Sequence, residues 1–169
     1  MKRKRSLILT VLCGLLLLGL LVWRSTPRSL ESISEVDFDQ AVSVSAYART
    51  WEYHNNESEP LDPVWALYSL ENIPSDQEDF APLLAQFKTI KARPSLTNFL
   101  RPWPLSGFSW TGNVAFLEGF VLCEDSVANF TLTDRGELTV GRHLYFITDE
   151  EQFNALWEYV TTHGIKNKS

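Results

Sequence analysis

Hydrophobic and polar positions follow three rhythms along this chain. From Ser6 to Trp23 there is no charge at all and leucine dominates. As a helix, these residues rise roughly 27 Å, just enough to cross a thin hydrocarbon core. In QAVSVSAYARTWEY, 40 to 53, the period becomes two. Val42, Val44, Ala46 and Ala48 point one way while Ser43, Ser45, Tyr47, Arg49 and Trp51 point the other. β-Branched and aromatic residues at that period predict a strand. Around Phe80 the rhythm turns helical, with Phe80, Leu83, Leu84, Phe87 and Ile90 on one stripe. With Asp79 as N-cap, Pro82 falls in the first turn, where a missing N–H costs nothing. Lys88, Lys91 and Arg93 suit the negative end of the helix dipole, and Pro94 marks the stop.

The remaining segments are shorter. VWALYSL, 64 to 70, fits a strand and nearly as well a short helix. VAFLEGFVLC (114–123), VANFTLT (127–133), LTV after the turn DRGE, and RHLYFIT (142–148) form a meander. Their turn signals come too close together for parallel strands joined by helices. TDEEQFNALWEYVTTHG closes the chain as a second amphipathic helix. Thr148 and Glu151 stand at capping-box spacing, Phe153, Leu156, Trp157 and Val160 form its stripe, and Gly164 ends it. The expected fold is α+β: an N-terminal transmembrane helix, then a mostly antiparallel sheet with two amphipathic helices packed on it.

Charge sets the expected topology. Lys2, Arg3, Lys4 and Arg5 precede the apolar run, whereas Arg24 and Arg28 after it are soon met by Glu31, Glu35, Asp37 and Asp39. The positive-inside rule puts the N-terminus in the cytoplasm and the rest outside it, with Trp23 as an interfacial aromatic. A cleaved signal peptide would want small residues before the cut, and VWRSTPRS offers none. A lipid anchor would want a cysteine at the end of the run, but Cys13 lies within it. The expected organisation is a cytoplasmic basic segment (1–5), a transmembrane signal anchor (6–23), a juxtamembrane spacer (24–38) and an extracytoplasmic α+β domain (39–169). All 21 acidic residues lie beyond Trp23, with all but four of the 15 basic ones. So acidic an exterior is repelled by nucleic acid and by anionic headgroups. The expected partners are the membrane, through the N-terminal helix, and a protein or envelope component, with no nucleic acid.

Little in the chain suggests catalysis. The glycines at 107, 112, 119, 136 and 141 lack phosphate-loop spacing, and there is no G-x-S-x-G elbow. Cys123 stands alone outside the apolar run and reads as a small buried residue. His54 opens the acidic loop HNNESEPLD, without the spacing of a calcium loop. His143 is expected at the surface of a strand, and His163 at a helix C-terminus that favours its partial positive charge. Glu118 interrupts an apolar strand. Alternation puts it on a partly exposed face with Phe116, Phe120 and Leu122, opposite Ala115, Leu117, Gly119 and Val121. Pointing inward it could serve a hydrolase with a second carboxylate. No cofactor and no metal site is expected. Asn56, Asn129 and Asn167 each head an N-glycosylation pattern.

RPWPLSGFSWTG, 101 to 112, joins the first amphipathic helix to the meander. Packing of Trp103, Phe108 and Trp110 over the sheet is the favoured reading, since each ring buries roughly 150–250 Å2. The competing reading is an exposed surface of Arg101, Trp103 and Trp110 that grips a ligand or partner. The leading function is therefore a membrane-anchored, non-enzymatic extracytoplasmic domain acting by protein or ligand contact at the cell envelope. The alternative is an envelope glycan- or peptide-binding module using the aromatic surface around Trp103.

Overall fold

The computed structural model describes residues 2–52, 64–95 and 114–168. The elements run α1 (Lys2–Ser25), β1 (Arg28–Ser29), α2 (Leu30–Ser34), a 3-10 turn (Phe38–Gln40), β2 (Ala41–Glu52) and β3 (Val64–Pro74). They continue with α3 (Phe80–Thr89), β4 (Lys91–Pro94), β5 (Val114–Cys123), β6 (Val127–Thr133), β7 (Glu137–Val140), β8 (His143–Ile147), α4 (Glu151–His163) and β9 (Ile165–Lys168). The fold is α+β, and among the described residues it has one nine-stranded sheet and four helices. Every strand pair is antiparallel, in the order β1-β4-β8-β7-β6-β5-β2-β3-β9.

The core lies between one face of this sheet and the pair α3–α4. The strands send in Val44, Ala46, Ala48, Leu117, Val121, Phe130, Leu132 and Leu138. Against them α3 sets Leu83, Leu84 and Phe87, and α4 sets Phe153, Leu156 and Val160. Phe87 meets Phe130 edge-to-face at 5.0 Å between ring centres. That approach depends on Gly119, the register partner of Phe130, because any Cβ there would overlap the Phe130 ring. The two helices are also tied directly, Tyr159 donating to Asp79 Oδ1 at 3.0 Å.

Several local expectations are corrected. Residues 24–38, expected as a spacer, include β1 and α2 and bury Leu30, Val36 and Phe38 in the core. Their few apolar residues show no period because the backbone changes conformation every few positions, with Glu35 at φ 58°. Of the two readings of 64–70, the strand holds: it belongs to β3, whose residues 64–70 all pair with β2. Asp79 does stand at the start of α3 but makes no capping bond there, its carboxylate being turned to Tyr159. The Thr148–Glu151 capping box is not formed. Thr148 Oγ1 donates to Lys91 O, and Asp149 Oδ1 accepts from Glu151 N instead. Gly164 ends α4 with φ −79°, outside the left-handed region. A glycine is needed there for closeness, since a Cβ would crowd Val160 O and lie 3.1 Å from Ser69 O as the chain turns into β9.

Among the described residues no helix is long and apolar enough to cross a membrane. The side chains of α1 are described from Thr10 to Trp23, and they are exposed throughout. Leu15, Leu16, Leu17 and Leu18 occupy four successive positions, hence all sides of the helix, at 59–65% exposure. Only Thr26 and Pro27 separate α1 from β1, and the Arg28 guanidinium lies 4.7 Å over the Trp23 ring.

Candidate functional site

The face of the sheet turned away from α3 and α4 carries the polar and aromatic alternates of the same strands. Register sets Tyr47 opposite Glu118, Glu118 opposite Thr131, and Thr131 opposite Thr139, one row across β2, β5, β6 and β7. The neighbouring row pairs Ser45 with Phe120 and Phe120 with Asn129. Strands lie about 4.8 Å apart, so side chains in a row stand at about that interval.

Arg49 organises one end of this surface. It lies two residues beyond Tyr47 on β2 and reaches diagonally to Glu118, with Nη2 3.1 Å from Oε2. Its guanidinium also sits 5.8 Å from the centre of the Tyr47 ring. Its Nε is buried and has no hydrogen-bond partner among the described residues. Tyr47 in turn meets Phe120 edge-on at 5.9 Å. Burial raises the pKa of the Tyr47 phenol, and the nearby Glu71 charge adds to the effect, so the ring stays neutral.

Beyond Glu118 the surface dips into a hollow of about 160 Å3, lined by Glu118, Phe120, Asn129, Thr131, Thr139 and Gly141 among others. A carboxylate, an amide and two hydroxyls thus converge beside one aromatic ring. Gly141 sits in the β7–β8 turn at φ +58°, and a Cβ built there would meet nothing within 4 Å, so that end is open. A second hollow of about 290 Å3, between β3 and the end of α4, is lined by Ser69, Leu70, Glu71, Ile73, His163 and Ile165.

The residues singled out in the sequence fall partly outside the described residues. Arg101, Trp103 and Trp110 lie outside the described residues, as do Phe108 and His54. Glu118 sits on the partly exposed face, its side chain 29% exposed. The charged group paired with it is Arg49, and the Glu71 carboxylate acts on the adjoining Tyr47. Cys123 is buried, with Sγ 3.4 Å from Asp37 O. His143 is exposed on β8, and the His163 ring stacks on Tyr159 with Nδ1 2.9 Å from Tyr159 O. Among the described residues no group of three His, Cys, Asp or Glu is placed to hold a metal ion. Sequence reading missed Asn129, Thr131 and Thr139 as neighbours of Glu118. The signal was present only as alternation within each strand, and register between strands was needed to join them.

No protein-family model, curated protein or solved structure matches the chain.

Proposed function

We propose that the chain is a single-pass membrane protein whose N-terminus is cytoplasmic and whose α+β domain lies outside, acting by contact with a protein or ligand at the cell envelope. One observation carries this reading: the uncharged run from Ser6 to Trp23, preceded by Lys2, Arg3, Lys4 and Arg5. The exposure of leucines on every side of α1 is consistent with it. Since no described helix is long and apolar enough to cross a membrane, the reading rests on the sequence of this run. A role by contact is supported by the open sheet face, where Tyr47, Arg49 and Phe120 combine the residue types that dominate binding surfaces.

Alkaline carbonate extraction of membranes from cells producing the full chain tests the anchor. The protein is expected to stay with the lipid, and a variant carrying Leu16→Arg and Leu17→Arg to be lost from it. Release of the unaltered chain by carbonate would mean that the run from Ser6 to Trp23 does not anchor it.

A further inference from the structure

We propose that the hollow over β5, β6 and β7 binds a neutral saccharide. The wall fixes the chemical class of ligand. Glu118 only accepts hydrogen bonds, whereas the Asn129 amide and the Thr131 and Thr139 hydroxyls both donate and accept. A sugar hydroxyl likewise does both, so a polyhydroxyl ligand satisfies all four groups, while an apolar ligand would leave them desolvated without partners. Charge narrows the class further. Arg49 already holds Oε2 of Glu118, which compensates its charge and leaves the other carboxylate oxygen to accept from a neutral donor. An anionic ligand would face the Glu118 carboxylate with that guanidinium already engaged.

Shape agrees with chemistry. Glu118, Thr131 and Thr139 form one register row, which presents acceptors and donors in a line at intervals of about 4.8 Å. Phe120, 37% exposed and fixed at a right angle by Tyr47, offers an apolar surface to the C–H face of such a ring. About 160 Å3 is below the roughly 300 Å3 of a small closed ligand pocket. The hollow therefore suits one ring of a chain, and the open end at Gly141 lets further units run on. The proposal concerns the described residues of β5, β6 and β7, and it does not depend on whether α1 is an anchor.

The test is calorimetric titration of the full chain, made in bacterial cells so that Asn129 stays unmodified and held in a sugar-free detergent. The two probes are maltotetraose and the tetramer of N-acetylglucosamine. Saturable binding of at least one probe is expected, with a dissociation constant on the order of 1 mM. Asn129→Ala and Thr139→Val are each expected to weaken it about tenfold or more without moving the thermal unfolding midpoint. Both side chains lie outside the core, and two independent variants guard against one of them misfolding. The proposal is overturned if neither probe binds saturably, or if binding persists unchanged in both variants. Binding lost in Trp103→Ala but kept in Asn129→Ala would likewise overturn it, in favour of the other surface. Failure of carbonate retention would bear on the anchor alone.

Discussion

Phe130 packs across Gly119, its partner on the neighbouring strand, and can do so only because Gly119 has no side chain. The ring then reaches Phe87 of α3, so a missing methyl group on β5 lets sheet and helix meet. Gly119→Ala is expected to destabilise the domain by about 1–3 kcal/mol, as overpacking a filled core does. Chemical unfolding of the variant measures this directly. Adding Phe130→Leu should recover part of the loss, because a smaller side chain makes room for the new Cβ. Strictly additive losses would show that the two positions do not compete for the same space.

Gly164 is constrained by backbone instead of a side chain. A Cβ there would press on Val160 O and lie 3.1 Å from Ser69 O, and carbonyls held in a helix and a sheet cannot turn aside. Gly164→Ala should cost about 1–3 kcal/mol. It should also increase amide exchange in β9, because the strand begins at the next residue. Unchanged exchange at Ile165 and Lys166 would contradict the close approach.

The Tyr159–Asp79 bond gives a pH dependence with a definite sign. Burial and then the bond to Asp79 push the Tyr159 pKa up to about 12, against about 10 for a free tyrosine. Between those values the folded chain holds a proton that the unfolded chain has released. The stability this group contributes is therefore fully present below pH about 10 and lost as pH rises through about 12. Tyr159→Phe should flatten that part of the stability profile and cost about 0.5–1.5 kcal/mol at neutral pH. A profile identical to the unaltered protein between pH 10 and 12 would contradict the assignment.

Arg49 and Glu118 should contribute little to stability despite their 3.1 Å contact. Their side chains are 34% and 29% exposed, and an ion pair so open to solvent typically gives about 0–1 kcal/mol. A double-mutant cycle with Arg49→Met and Glu118→Gln is expected to give a coupling in that range. A coupling well above it would place the pair among buried, structurally required ion pairs.

Helices α3 and α4 and the central strands were legible because their periods are long enough to register. Phe153, Leu156 and Val160 bury as their spacing implies, and so do Leu83, Leu84 and Phe87. The alternation of 40 to 53 correctly separated Val44 and Ala48 from Tyr47 and Arg49. The two sheet edges escaped because β1, β4 and β9 have four residues or fewer, too short for any period. Leu30 and Phe38 escaped because isolated apolar residues in a polar stretch look like a linker until the tertiary fold encloses them. The candidate site was half visible. Glu118 stood out inside an apolar strand, but its partner Arg49 lies on a strand distant in sequence, and local pattern carries no information about register.

The most direct test of an outward-facing, membrane-anchored domain is labelling of a single engineered cysteine by a membrane-impermeant maleimide on intact cells. Asn154 on α4 is exposed and suits the reporter, with Cys13 replaced by Ala and the buried Cys123 left in place. The expected result is that Asn154→Cys reacts without permeabilisation while a cysteine at Lys2 reacts only after it. Labelling of Asn154→Cys only in opened cells, or of the Lys2 position in intact ones, would contradict the proposed topology.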